Sequence, residues 1–230
     1  ETGAVNDIIK ISNAVKKKNP RALFHSDGVQ AFGKIPVKLS SDIDMYSISA
    51  HKIGGIKGCG ALLKKKNLIL KPLIYGGGQE QGLRSGTENV FAVKNFEYAA
   101  NKIKNGIKGN YDKAERLNSL LWQSLDKSLF ARISPESGSP YILTVSAKGL
   151  RGETILHEAD DCGLIIGTGS ACSSNDKKRF SRIILACGVS EEFADGVLRL
   201  SLSYNTTERE IIEAAEILNR IVAVRKEKMA

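Results

Sequence analysis

Cysteine is scarce in this sequence, and the four present stand far apart. Cys59, Cys162, Cys172 and Cys187 form no CxxC pair and have no histidine at a spacing that suits zinc. Neither a disulfide framework nor a metal finger is indicated, no metal is expected, and a reducing cytoplasm fits best. Long apolar runs are missing as well. No stretch approaches the ~18–20 consecutive apolar residues that cross a bilayer, so the chain is not expected to span a membrane. There is no internal repeat and no low-complexity tract. The chain opens at Glu1 with no initiator Met, apolar signal segment or basic leader, which reads as a piece of something longer.

What is there is the composition of a globular protein: 230 residues, 42% hydrophobic and 26% charged, enough for one large or two small domains. Lys and Arg outnumber Asp and Glu by 34 to 25, giving +9, and such an excess raises the question of an acidic partner. The distribution answers it. The basic residues fall in short separate runs, such as Lys16 to Lys18 and Lys64 to Lys66, without a recognition-helix spacing, so they read as solvated faces and no nucleic-acid partner is expected.

The first half alternates β-type runs with turns: RALFHSDG, IDMYSISA and GCGALLKK, each bounded by Gly, Pro or charge. Before them Ile8, Ile9, Ile11 and Val15 have helical spacing, so an α/β alternation is under way from the start. Helical periodicity returns over Val90 to Lys104 and Tyr111 to Leu129, with Gly106 and Gly109 as the break between. From Ala131 the pattern changes to an α+β one: strand-like ARISPE and YILTVSA, a helix over Gly152 to Asp161, strand LIIGTGSAC, short helices over Phe180 to Ala186 and Ser190 to Val197, and strand LRLSLS. A last helix opens on a capping box, Thr207 with Glu210. The expectation is therefore a two-part α/β protein. Residues 1–106 belong to a larger, mostly parallel sheet domain that is incomplete here, and residues 107–230 form a small α+β domain.

Three segments carry chemistry. In IDMYSISAHKIGGIKGCGAL, Lys52 follows His51 at a strand end, and glycines follow at 54, 55, 58 and 60. A lysine that bonds covalently to a bulky cofactor needs such a rigid, uncrowded place, although a bare HK pair is more often a solvated surface lysine. Upstream, HSDGVQAFGKIP puts Asp27 at a strand end, where by itself a carboxylate reads as opening a turn before Gly28. The third is GTGSACSSNDKKRF. Cys172 lies there among Ser, Gly, Lys and Arg, as an exposed nucleophile would, whereas Cys59, Cys162 and Cys187 have apolar neighbours and read as packing residues.

Taken in order, these segments resemble the class V aminotransferases, and SACSS with VLRLSLS is similar to cysteine desulfurases of the NifS/IscS type over the whole chain. The resemblance implies fold-type I and pyridoxal 5'-phosphate held by Lys52. It places Asp27 on the pyridine nitrogen, Gln30 on the phenolic oxygen, and Ser49 and His51 in the cofactor site. Thr87, in GGGQEQGLRSGTEN, would complete the phosphate cradle of a neighbouring subunit, which implies a homodimer. Arg199 would grip the carboxylate of L-cysteine, and Cys172 would take its sulfur as a persulfide, on a loop freed by Gly167 and Gly169. The partner would be a sulfur acceptor or iron-sulfur scaffold protein. The glycine-containing phosphate loop and ring-stacking His of the family are absent, and neither His25 nor His157 replaces the latter, so this chain alone is expected to be inactive. Two alternatives stand beside this: another lyase of the fold, such as one acting on selenocysteine, and a catalytically dead partner-binding module.

Overall fold

A computed structural model of the chain describes residues 1–168 and 181–229. Two compact units emerge, one of residues Asn6–Lys108 and the other of Glu1–Val5 with Gly109–Ala230. Among the described residues no helix is long and apolar enough to cross a membrane.

In the first unit, α1 (Ile8–Lys18) is started by Asp7, whose carboxylate accepts from the Lys10 N–H at 3.0 Å, and ends in three lysines that suit the negative end of its dipole. Strands β1 (His25–Asp27) and β2 (Met45–Ser49) pair in parallel, with Asp27 opposite Ser47; β3 (Gly60–Lys64) runs back antiparallel to β2. Helix α2 (Val90–Lys104), capped by Asn89, lays Ala99 and Ile103 against Ile53, with Phe32 and Phe96 meeting edge to face beside them. The inward face of α1 keeps Ile8, Ile9 and Val15 half-buried, as their spacing predicts, but not Ile11. Ser12 is its buried residue and Ile11 is exposed. The reason is electrostatic: Lys16 reaches in to the buried Asp44, 2.6 Å away, and donates also to the Ala22 carbonyl at 2.7 Å. Lys65 at 2.7 Å and the Phe24 N–H at 2.7 Å hold the same carboxylate, so one anion ties α1, β2 and the exit of β3 together.

The second unit is a fully antiparallel sheet in the order β4 (Phe130–Arg132), β5 (Ile142–Ala147), β7 (Val197–Ser201), β6 (Gly167–Thr168). One face presents Leu143, Val145, Ala147, Leu198 and Leu200 to α3 (Ile107–Ser124), α4 (Gly152–Asp161) and α7 (Glu208–Glu227), and this is the main core of the chain. The other face is covered by α5 (Arg182–Ala186) and α6 (Glu191–Ala194), through Ile184 and Ala194 on Val197, and by the first residues of the chain. There Thr144 Oγ1 donates to the Glu1 carbonyl at 2.7 Å, Ser134 Oγ to that of Thr2 at 2.8 Å, and Ser139 N–H to that of Gly3 at 2.7 Å. An α/β unit followed by an α+β unit is the fold class expected from the sequence, although the described strands of the first unit pair once in parallel and once antiparallel where a mostly parallel sheet was expected.

Helix α3 starts at Ile107, runs through Gly109 and stops at Ser124, earlier at both ends than the periodicity predicts. Asn219 of α7 fixes that stop by donating to the Ser124 carbonyl at 2.9 Å and accepting from the Asp126 N–H at 2.9 Å. Strand β4 ends at Arg132, where the N–H groups of Ile133 and Ser134 both turn to the Thr144 carbonyl, a bulge that breaks the ladder within the ARISPE run. The cysteines correct a further expectation. Cys162 and Cys187 are exposed and Cys59 only half-buried, so the apolar neighbours of the first two do not enclose them. Cys162 and Cys187 are the C-cap residues just past α4 and α5, each followed by a glycine with φ near +80° (Gly163 +79°, Gly188 +80°) that turns the chain away.

Candidate active site

Because β1 and β2 are parallel neighbours, their C-terminal ends open on one side, the position where open α/β sheets receive ligands. Asp27 is the last residue of β1 and Ser49 the last of β2. Asp27 Oδ1 accepts from the Val29 N–H at 2.9 Å, and the Gly28 N–H donates to the Ser47 carbonyl at 2.9 Å, which fixes the turn. Only glycine fits at 28: a Cβ there would lie 1.8 Å from Tyr46 Cζ. Beyond β2 the chain winds through a single 3₁₀ turn, Ala50–Ile53, closed by Gly54 at φ 88°, whose N–H returns to the Ala50 carbonyl. Lys52 stands half-buried on that turn, three residues past the sheet. Ser49 Oγ meets His51 Nδ1 at 2.8 Å, so a hydroxyl and an imidazole face the same end of the sheet.

Two residues that sequence reasoning passed over join this group. Lys34 donates to Gln30 Oε1 at 3.3 Å; burial, and then the nearby Lys52 ammonium, holds its own ammonium below the usual lysine range. Tyr46, 3% exposed, has no hydrogen-bond partner for its hydroxyl among the described residues. Burial pushes its phenol up, and the Asp27 carboxylate adds to the rise. The i, i+4 spacing of Gln30 and Lys34 was a signal for the first; nothing in the sequence marks the second, since a tyrosine in a strand is ordinary core.

Thr87 is exposed on the segment before α2, whose first turn is already capped by Asn89 through the Ala92 N–H at 3.0 Å. The glycine-rich stretch before it is a closed loop. Leu73 N–H bonds to the Leu83 carbonyl, Ser85 N–H to Ile74, and Gly86 N–H to Gln79 Oε1 at 3.2 Å. Glu80 and Gln81, at φ 51° and 58°, sit in the left-handed region that side chains avoid, a local strain of the kind found in ligand-holding loops. Arg199 belongs to the other compact unit, half-buried at the centre of β7 between Thr144 of β5 and Gly167 of β6. Cys172 and Gly169 lie outside the described residues.

A flat aromatic aldehyde phosphate makes four demands: an amine, a carboxylate, polar anchors and a surface without bulk. The first unit meets them at one end of its sheet with Lys52, Asp27, the Ser49–His51 pair and Gly28, so its residues fit pyridoxal phosphate. An open sheet end with these residues suits a protein that binds pyridoxal phosphate. Comparison with known proteins narrows this. The aminotransferase class-V profile matches residues 1–213, and the chain belongs to that family, whose members depend on pyridoxal phosphate. It is 36% identical to a cysteine desulfurase of Enterobacter agglomerans across 97% of this chain and 56% of that protein, and 36% identical to cysteine desulfurase IscS of Clostridium botulinum across 99% and 58%. A solved NifS-like protein superposes with a TM-score of 0.88 at 33% identity, covering 97% of this chain and 59% of the other. The NifS-like protein of Rickettsia africae gives 0.84 at 34% identity, covering 96% and 59%. The chain spans little more than half the length of the curated relatives it matches.

Proposed function

We propose that the whole protein is a pyridoxal-phosphate-dependent cysteine desulfurase. In it, residues 1–106 are the C-terminal part of the cofactor-binding domain, and residues 107–230 are the small domain that bears catalytic Cys172. One observation carries the cofactor half of this reading: the parallel pairing of β1 and β2, which brings Asp27 and Lys52 to the same sheet end. Kinship with cysteine desulfurases and the polar SACSS sequence support the rest.

Bound pyridoxal phosphate supplies a conjugated, protonated ring that can take up the electrons of a substrate carbanion. The chain's own residues do the following. Asp27 holds the proton at the pyridine nitrogen, since a carboxylate beside that atom favours the charged form. Gln30 addresses the phenolic oxygen, and Ser49 and His51 the phosphate, with Thr87 doing so for a neighbouring subunit in a homodimer. Arg199 binds the carboxylate of L-cysteine through its planar fork. Lys52 takes the proton from Cα as a free amine and returns it. The Cys172 thiolate then attacks the substrate sulfur: a sulfur–sulfur bond forms, the Cβ–sulfur bond breaks, and its electron pair stays on carbon, which takes up a proton. The products are alanine and a persulfide on Cys172, passed to a sulfur-acceptor or iron-sulfur scaffold protein in the cytoplasm.

Two measurements test this. The full-length protein should release alanine and sulfide from L-cysteine in the presence of a thiol reductant, and Cys172→Ser should abolish both while keeping the cofactor's visible absorbance. Turnover by Cys172→Ser would replace the persulfide route with direct lyase chemistry, as in an enzyme acting on selenocysteine. Adding pyridoxal phosphate to the 230-residue chain asks how much of the site it builds. A visible band lost in Lys52→Ala means the strand end binds the cofactor unaided; no band from either chain or full-length protein would leave a partner-binding module.

A further inference from the structure

We propose that Gly167 is a positioning residue for substrate recognition: by carrying no side chain it leaves the space in which the Arg199 guanidinium lies. The inference rests on Arg199 as the carboxylate-binding group of the proposed desulfurase. Register sets up the relation. Gly167 of β6 and Thr144 of β5 are the direct cross-strand partners of Arg199 on β7, so the three side-chain positions share one face of the sheet, opposite the Leu198 and Leu200 core face. On the Thr144 side the space is taken. Thr144 is fully buried, with its hydroxyl committed to the Glu1 carbonyl at 2.7 Å.

On the other side a Cβ built on Gly167 would lie 3.0 Å from Arg199 Nη2 and 3.5 Å from both Cζ and Nε. The guanidinium therefore rests across the bare Cα of Gly167. Conformation does not explain this glycine, because Gly167 is not among the residues with positive φ. Glycine also weakens a strand, and in a strand interior it marks a place of close approach. What a side chain at 167 would displace is the end of a flexible arginine and no backbone, so the fold would absorb the change while the guanidinium moved. A two-hydrogen-bond fork is sensitive to such a shift, since both bonds depend on its plane.

The test uses the full-length holoenzyme with Gly167→Ala, Gly167→Val, Arg199→Ala and the double variant Gly167→Val/Arg199→Ala. Three ligands serve as probes: L-cysteine by KM, L-alanine by calorimetric Kd, and cysteamine, which keeps amine and thiol but has no carboxylate. Gly167→Val should raise KM for L-cysteine and Kd for L-alanine by about tenfold or more, the scale of one lost charge-assisted hydrogen bond. Gly167→Ala should fall between it and the unaltered enzyme. Cysteamine binding should not change, KM should rise by a larger factor than kcat falls, and the valine should add nothing once Arg199 is alanine. Normal L-alanine binding by Gly167→Val, with binding lost in Arg199→Ala, would overturn the inference and leave Arg199's role standing. Normal L-alanine binding by Arg199→Ala would overturn that role, and this inference with it. Equal losses for cysteamine and L-alanine in Gly167→Val would mark a general distortion and refute it as well.

Discussion

Asp44 shows how a single side chain sets the frame on which the strand-end residues stand. Its carboxylate takes Lys16, Lys65 and the Phe24 N–H at once, and the two lysines' hydrogen bonds hold its pKa well below the usual carboxylate range. Water is kept off it by the lysines that grip it more than by depth in the protein, so the interaction is scaled as hydrogen bonds to a charged group. Asp44→Asn should destabilise the first unit by about 2–3 kcal/mol, read as a lowered urea midpoint. The pH dependence has a definite sign. A carboxyl group more acidic in the folded chain contributes stability that is complete above its unfolded pKa, near 3.9, and is lost as pH falls below that value. Urea midpoints should therefore hold from about pH 5 upward and drop below about pH 4, with a shallower drop in Asp44→Asn. None of this network was legible in the sequence, because Lys16 and Lys65 lie 28 and 21 residues from Asp44 and look like solvated charge. The strand-end positions of Asp27 and Lys52 were legible, since the β-type runs HSDG and IDMYSISA end beside them; their roles toward the cofactor came from the family resemblance and belong to the proposal. Gln30 and Lys34 show the limit between the two: the motif named the glutamine, but only the fold showed that a second lysine shares its end of the sheet.

At the scale of elements, ends were harder to foresee than existence, and the reasons differ from one element to the next. Helices α1 and α7 start where their own side chains cap them, which is local and therefore readable. Thr207 accepts from the Glu210 N–H at 3.3 Å while the Glu210 carboxylate accepts from the Thr207 N–H at 2.7 Å. Thr207→Ala should cost about 1 kcal/mol, seen as a lower Tm of the second unit by circular dichroism. Helix α3 stops where Asn219, 95 residues away, takes the Ser124 carbonyl, and no local pattern reports that. The exposed Cys162 and Cys187 illustrate the same point in reverse. Their neighbours are apolar, yet each is a helix's C-cap, where the chain leaves the helix through a left-handed glycine. At Gly163 the Leu164 N–H returns to Ala159 and the Gly163 N–H to Asp160, both at 2.8 Å. Gly163→Ala should destabilise the unit by about 1 kcal/mol, because alanine at φ +79° is strained. Gly188 has the same geometry and should respond alike, whereas Gly152, inside α4, has no such φ and would meet the Val197 carbonyl at 2.6 Å instead. Equal midpoints for Gly163→Ala and the unaltered chain would show that the αL turn is not what ends α4.

Across the whole molecule the two units are unequally provided with core, and this shapes how each should behave. The second unit buries the leucine- and valine-rich layer between its sheet and α3, α4 and α7, whereas the buried apolar cluster of the first, among the described residues, is Ile53, Ala99 and Ile103. Burial at about 25 cal/mol per Å² is the main source of stability, so backbone amides of β5, β7 and α7 should resist hydrogen exchange longest and those of β1 and β3 should exchange first. The first unit also leaves large apolar side chains in water: Ile69 is 92% exposed, Leu73 85%, Tyr75 77% and Phe91 74%. Large apolar side chains left this exposed suit surfaces that another protein surface covers, and for the proposed homodimer a second copy is the natural occupant. The 230-residue chain should accordingly elute from gel filtration ahead of a 24.9 kDa monomer, in a concentration-dependent way. Leu73→Lys with Phe91→Lys should restore the monomer position without moving the urea transition of the second unit, since neither residue belongs to it. Elution as a monomer before any substitution would show that these side chains are not an association surface. Unchanged early elution after both substitutions would place the contact elsewhere on the chain.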